Sequence, residues 1–260
     1  MVEWIKVSMR ETQEGGVRME RRIDELWPGT GFVRGAGFPL GTDAVLLADF
    51  AARGQVRRFA DLGCGAGVIL VLLAQAFPSA SGFGIEIQPE AAATARENAG
   101  INGVADRCEI RCGDLRENAD LPEAGSFDLV AANPPYFPVG SGYSAPEGSR
   151  RAAREERFCT LDEICRAAAR LTRWGGRFCI VHRPERLSEL FVTLTGHGLE
   201  PKRLRMVCRT AADAPSLVLI EAQRGAKSAL TIEKPLALYN ADGSDSDESR
   251  RIYHTKETTP

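Results

Sequence analysis

The stretch Arg58-Phe59-Ala60-Asp61-Leu62-Gly63-Cys64-Gly65-Ala66-Gly67 restricts the possible folds more than any other part of the chain. A short strand-forming run stops at three glycines on alternate positions, and Val68 to Ala76 then reads as a helix that Pro78 ends. Strand, glycine loop and helix open a parallel βα unit. The pattern then recurs. Ala80 to Ile85 reads as a strand ending in Glu86, followed by a helix to about Ala99 that closes near Gly100. Cys108 to Arg111 and Phe127 to Ala132 read as strands three and four. Leu161 to Arg173 reads as an amphipathic helix, Arg177 to His182 as strand five, and Pro184 to about Thr195 as another helix. This alternation predicts an α/β chain with a parallel, doubly wound sheet. Arg203 to Cys208 and Ser216 to Ala222 add antiparallel strands at its end.

The glycine loop lets a backbone approach a ligand closely. A dinucleotide fingerprint would place glycine at position 68, which is Val68. Asp61 ahead of the loop suits S-adenosylmethionine (SAM) better, by meeting the methionine ammonium directly or through water. Glu86, at the second strand tip, can accept from both ribose hydroxyls, a device shared by NAD and SAM sites. Its alternative is an acid at a helix start. Asp114, at the third strand tip, can accept from an adenine amino group while the Leu115 N–H donates to the ring. Asp114 can also cap a helix. Thr42 or Asp43 is the expected N-cap of a helix over residues 42–50, whose start beside a glycine-rich loop can face a ligand or simply pack.

Asn133-Pro134-Pro135-Tyr136 ends the fourth strand. Two prolines lack N–H donors and stiffen the turn, so the ladder stops at Asn133. A planar amino group is a poor nucleophile because its lone pair is delocalised. The Asn133 side-chain oxygen and the Pro134 carbonyl can grip both of its N–H hydrogens and localise that pair. Tyr136 offers a face for a flipped base. The plain alternative is a proline terminator with a turn asparagine.

At 260 residues and 43% hydrophobic, the chain can bury one sizeable core. With a net charge of -2 it is not globally basic, so RNA contact needs a local patch. The long stretch from Phe137 to Cys159 carries Arg150, Arg151, Arg154 and Arg157, which can grip phosphates or begin the next helix. Seven cysteines without a secretory leader or a membrane-length run predict reduced, cytoplasmic thiols. Cys108 and Cys112 share a strand face, and with three histidines none of which is nearby, packing is expected and no metal site. His182 is expected to be structural. Residues 1–20 read as a polar start, Glu20 to Trp27 as a short amphipathic turn, and Asn240 to Ser249 as a solvated acidic loop. Leu230 to Ile232 and Leu236 to Tyr239 are candidate edge strands.

Several of these stretches together resemble the class I SAM-dependent methyltransferases, and within them the bacterial tRNA1(Val) adenine-N6 methyltransferases. The carriers are Gly41 to Ala48, Asp61 to Gly67, Glu86, Asn98, Asp114, Phe127 to Tyr136 and Pro215 to Glu221, with the late Gly225-Ala226-Lys227 and Leu236 to Gly243. The resemblance implies a Rossmann-like, seven-stranded, mostly parallel sheet with an antiparallel C-terminal hairpin. It divides the chain into an N-terminal extension (1–19), a methyltransferase domain (20–224) and a hairpin and tail packed on it (225–260). It implies catalytic Asn133, Pro134, Pro135 and Tyr136, with a cofactor set of Gly41, Thr42, Asp61, Gly63, Cys64, Gly65, Gly67, Glu86, Ile87, Gly113, Asp114, Leu115 and Asn133. SAM would leave as S-adenosylhomocysteine, and the methyl would go to a tRNA adenosine beside the anticodon, with no membrane and no obligate protein partner.

Four other readings compete. A protein glutamine N5-methyltransferase, or another RNA or DNA adenine N6-methyltransferase, would use the same tetrapeptide. The former usually carries a separate helical N-terminal domain. A non-catalytic SAM- or RNA-binding module does not need the intact Asn133 and Tyr136. A nicotinamide dehydrogenase leaves the Asn-Pro-Pro-Tyr turn unexplained.

Overall fold

The computed structural model describes residues 6–14, 17–33, 41–135 and 159–254. Its main sheet has seven long strands. They are β4 (Arg58–Leu62), β5 (Ser81–Glu86), β6 (Cys108–Cys112), β7 (Phe127–Ala132), β8 (Thr172–His182), β9 (Leu199–Cys208) and β10 (Pro215–Arg224). They run in the order β9-β10-β8-β7-β4-β5-β6. Pairs β5–β6, β4–β5, β4–β7 and β7–β8 are parallel, while β10 is antiparallel to both β8 and β9. The chain builds β4, β5 and β6 outward, then returns to lay β7 on the other side of β4. That reversal opens a crevice at the strand ends near Leu62 and Ala132.

Both faces of the sheet are covered, and the strands show it residue by residue. In β8, Cys179 and Val181 pack with one cluster while Phe178 and Ile180 pack with the other. In β10, Leu217 and Leu219 face the first cluster, and Val218 and Ile220 the second. This is the period of two that a strand imposes, with apolar side chains on both sides. Helices α1 (Thr42–Ala51), α2 (Val68–Ala76) and α3 (Pro89–Ile101) cover the first face; α4 (Leu161–Leu171) and α5 (Leu187–Gly196) cover the second. A capping box on α4, in which the Thr160 hydroxyl accepts from Glu163 N–H and the Glu163 carboxylate accepts from Thr160 N–H, fixes its start.

Several stretches differ from their sequence reading. Residues read as a polar start and a short turn form an antiparallel hairpin, β1 (Lys6–Glu14) and β2 (Val17–Trp27), continued by β3 (Thr30–Val33). Charged residues on a two-stranded ribbon do not alternate cleanly with apolar ones, which hides the strand period. The acidic stretch read as a loop, Asn240 to Ser249, ends in the first turn of helix α6 (Asp247–His254). The Ser246 hydroxyl accepts from Ser249 N–H at 3.0 Å, which supplies the cap, and Ile252 and Tyr253 enter the first core cluster beside α1. The fifth strand, read over Arg177 to His182, begins at Thr172, so Gly175 and Gly176 lie inside β8, where its pairing with β7 shifts register. The candidate edge strands appear as β11 (Thr231–Ile232) and β12 (Leu236–Ala237), both parallel to β9. Cys108 is buried as expected, but Cys112 is exposed at the strand end.

One buried amide joins the small sheet to the large one. Asn98 in α3 is fully buried; its side-chain oxygen accepts from Val33 N–H at 2.7 Å and its amide donates to the Ala66 carbonyl at 2.9 Å. One turn on, Asn102 accepts from Gly31 N–H at 3.2 Å and donates to the Gly31 carbonyl at 2.8 Å. Helix α3 thus treats β3 as a sheet edge would. Asn98→Ala leaves one buried donor and one buried acceptor unpaired. We expect it to lower unfolding stability by about 2–4 kcal/mol in urea titration, whereas a loss within about 0.5 kcal/mol would show that water fills the gap.

Candidate active site

The loop after β4 turns three times through glycine. Gly63 has φ +68°, a left-handed conformation that L side chains resist, and the space its Cβ would occupy is open. Gly67 has φ +81° and a different duty: a Cβ there would meet Ala95 at 3.1 Å, so this glycine permits α2 and α3 to approach. The loop bends over a cavity of about 390 Å³ at the ends of β4, β5 and β7.

Glu86 at the tip of β5 holds the loop in place. Its two oxygens accept from Gly65 N–H and from Gln88 N–H, each at 2.9 Å. A carboxylate has about four acceptor positions, so each oxygen retains capacity toward the cavity it lines. Beneath the loop, Asp61 is 1% exposed and neither of its oxygens has a hydrogen-bond partner. Burial raises its pKa to about 7; the Leu70 backbone N–H, nearby but not in hydrogen-bond geometry, opposes this and the Glu86 charge adds to it. An unpartnered buried acid below an open glycine loop suits a ligand that brings positive charge or ordered water.

At the third strand tip the arrangement is different from the expected one. The Asp114 carboxylate accepts from Arg116, through its backbone N–H at 2.9 Å and through its guanidinium at 2.9 and 2.5 Å. Those bonds hold its pKa below the usual carboxylate range. No helix follows it; residues 114–117 form a turn, so the capping role is not realised. The Asp114 N–H donates to Asp120 Oδ2 at 2.8 Å, and Asp120 lies so near Gly113 that a Cβ there would meet Oδ2 at 2.9 Å.

The structure brings most expected site residues together. Gly41, Gly63, Cys64, Gly65, Glu86, Ile87, Gly113, Asp114, Leu115, Asn133, Pro134 and Pro135 all line the one cavity. Three expected cofactor residues do not reach its wall: Asp61 lies beneath, Gly67 packs on α3, and Thr42 starts α1. The N-cap of α1 is Gly41, with extended backbone, and not Thr42 or Asp43. Tyr136, Arg150, Arg151, Arg154 and Arg157 fall outside the described residues. The wall also includes Asp43 and Ala44 from the start of α1, and Gln88, Cys159 and Ile164, which the sequence did not single out. Cys159 and Ile164 come from the start of α4, far along the chain, and carry no local signal. Burial pushes the Cys159 thiol up to about 12, so it is a wall and not a nucleophile. No cluster of three His, Cys, Asp or Glu among the described residues could hold a metal.

Residues 57–228 match the family model described as a methyltransferase domain. The chain is 35% identical over 193 residues to a Porphyromonas gingivalis protein named tRNA1(Val) (adenine(37)-N6)-methyltransferase, covering 72% of this chain and 75% of that one. A Yersinia pestis protein of the same name is 30% identical, over 80% of this chain and 83% of its own. Among solved structures, a predicted O-methyltransferase from Agrobacterium tumefaciens shares the fold with a TM-score of 0.67 at 20% identity, over 82% of this chain and 96% of the other. A geranyl diphosphate C-methyltransferase from Streptomyces coelicolor, solved with S-adenosyl-L-homocysteine, has a TM-score of 0.51 at 14% identity, over 72% and 84%.

Asp61 makes a pH signature. Its folded pKa is raised to about 7, so between about pH 4 and pH 7 the folded state holds a proton that the unfolded state has lost. Stability therefore falls as pH rises through that window and levels off above it. Asp61→Asn should remove that component. The difference in unfolding free energy between variant and parent should grow by a few kcal/mol from pH 4 to pH 7; parallel curves would contradict the buried, unpartnered state of Asp61.

Proposed function

This chain belongs to the methyltransferase-domain family, and we propose that it transfers a methyl group from SAM to the exocyclic N6 of an adenosine in tRNA. The observation that carries the reading is the joint placement of Asn133 and Pro134 on the wall of the same cavity as Gly63, Gly65 and Glu86. Relatives at 30–35% identity, matched over most of their length and named for adenine 37 of tRNA1(Val), support the tRNA substrate and the position beside the anticodon.

The site fits SAM in three respects. The Asp61 carboxylate lacks a partner and suits the ligand's ammonium group. The Glu86 oxygens retain acceptor capacity for ribose hydroxyls. The open Cβ spaces at Gly41 and Gly63 leave room for a ligand along the backbone. Bound there, SAM supplies an electrophilic methyl on a positively charged sulfur. The protein's part is orientation. The Asn133 side-chain oxygen and the Pro134 carbonyl accept the two N–H bonds of the adenine amino group, which localises the nitrogen lone pair and fixes its direction. The stiffness of Pro134-Pro135 holds the two acceptors at constant separation. The amino group becomes acidic as its new bond forms, so its proton can pass to water and no strong base is needed. Tyr136 supplies a stacking face in this reading, and Arg150, Arg151, Arg154 and Arg157 contact RNA phosphates. No helix among the described residues is long and apolar enough to cross a membrane. In this reading the protein acts in the cytoplasm, on its tRNA substrate.

Incubation of the protein with SAM and unmodified tRNA should yield N6-methyladenosine by nucleoside mass spectrometry. Asn133→Ala should cut kcat by about 10²–10³-fold, the scale of losing one positioned polar group, while SAM affinity by calorimetry changes less than about threefold. Methylation that survives the change removes Asn133 from the mechanism. A methyl found on a protein carboxamide and not on RNA would replace the adenine assignment with the glutamine one.

A further inference from the structure

The end of the sheet opposite the cavity carries a patch of arginines that the cofactor site does not use. Asp128, at the start of β7, gathers several of them. Its carboxylate accepts from the backbone N–H of Arg57 and Arg58, at 2.8 and 3.0 Å, and from Arg173 Nε at 2.6 Å. Gly125 lies against the next members: a Cβ there would stand 4.0 Å from Arg173 Cα and 4.0 Å from Arg224 Nη1. Arg224 Nη1 donates to the Thr172 carbonyl at 2.5 Å, and Arg170 Nη1 donates to the Pro122 carbonyl at 2.7 Å. Strands β10, β8, β7 and β4 are successive neighbours, so the stripe crosses about 14 Å at ~4.8 Å per strand.

The charge of this stripe is not balanced. Arg173 pairs with Asp128. Arg57, Arg58, Arg170 and Arg224 have no carboxylate within ion-pair distance among the described residues. The carbonyls that Arg170 and Arg224 engage carry no charge to cancel theirs, and Arg58 stands over the Phe127 ring, 4.8 Å from its centroid. Glu123, exposed just ahead of Gly125, offsets one of the four. The chain as a whole carries -2, so the surplus is local. Beside it Trp174 is 73% exposed, with its ring so close to Gly225 that no side chain fits between them. Guanidiniums without carboxylates, next to an open aromatic ring, suit a nucleic-acid strand: phosphates meet the charge, and a base or sugar meets the ring.

We propose that this patch is a second RNA-contact surface, on which Arg57, Arg58, Arg170 and Arg224 neutralise phosphates of the tRNA outside its anticodon arm and Trp174 packs against the strand between them. The proposal rests on the tRNA reading above. The six residues of β7 separate the patch from the Asn133 turn, about 20 Å at ~3.3 Å per residue. An RNA held at both ends passes around the outside of the molecule, so it must extend well beyond the methylated loop. The acceptor site then selects the nucleoside, and the far patch selects for a whole folded tRNA.

Two RNAs and two kinds of variant test it. Whole tRNA and its isolated anticodon arm are titrated with the full chain by fluorescence anisotropy over a range of salt. Arg57→Gln combined with Arg58→Gln removes two charges and keeps both backbone bonds to Asp128. Trp174→Ala removes the ring and no charge. We expect the double variant to bind whole tRNA at least roughly fivefold more weakly at about 0.1 M salt, with a log–log salt slope smaller by about two. Trp174→Ala should lose about threefold or more with its slope unchanged. Both should bind the isolated arm within about twofold of the parent, and kcat at saturating whole tRNA should stay parental. Calorimetric SAM binding reports whether the double variant folds; if it does not, Arg57→Gln alone is measured, with a slope change of about one. Parental affinity and slope on whole tRNA, or an equal loss on the arm, overturn the proposal, while N6-methyladenosine formed by the parent leaves the acceptor assignment standing. A parent protein that methylates no RNA overturns both.

Discussion

The pairing of β4 with β7 is the constraint on which the site depends. These strands are parallel neighbours although β5 and β6 intervene in sequence. The register sets Leu62 opposite Ala132, so the glycine loop and the Asn-Pro-Pro turn leave the sheet side by side. Neither segment makes a site alone. The glycine loop supplies open backbone and the proline turn supplies rigid acceptors, and a shift of one residue would send every side chain of either strand to the wrong face. Asp128 helps hold that register at the other end of the strands: its carboxylate accepts from Arg57 and Arg58 N–H at 2.8 and 3.0 Å and from Arg173 Nε at 2.6 Å.

Two buried acids show how environment divides structure from chemistry. Glu221 in β10 is 2% exposed, about as buried as Asp61. Burial would raise its pKa, but Arg53, Arg177 and Arg203 surround it and hold it below the usual range. Arg203 is itself stacked 3.7 Å from the Phe50 ring. This cluster links α1, β8, β9 and β10 at the end of the sheet away from the cavity. Asp61 has no such partners, and its pKa moves the opposite way, to about 7. Three arginines surround one buried carboxylate and none surrounds the other, and under the proposed function that difference leaves Asp61 for the cofactor's charged end.

Much of this was legible in the chain. Val68 to Ala76 and the strand at 127–132 lie where the apolar periods put them, and the helix read over 161–173 ends two residues earlier, at Leu171. The glycine loop, Glu86 and the Asn133 turn reach one cavity because each ends a strand, and strand ends of parallel βα units all point the same way. Less regular segments were not legible. The N-terminal hairpin lacks clean alternation, and α6 is an acidic, serine-rich stretch whose only signals are the Ser246 cap and the pair Ile252-Tyr253. Asp114 reaches the cavity wall as expected of a strand tip, but its bonds from Arg116, two residues away, are a local contact that no periodicity reveals.

The sequence by itself determined the doubly wound sheet, the glycine loop, the acid at the second strand tip and the proline-stiffened corner, because each depends on interactions within a few residues: glycine at positive φ, proline without an N–H, and apolar periods of two or 3.6. Only the tertiary structure decided which face each element covers, that Cys159 and Ile164 close the cavity wall, and that Asn98 joins the glycine loop to a small N-terminal sheet. Those features join residues from distant parts of the chain, and their contacts exist only once the sheet order has brought the strands together.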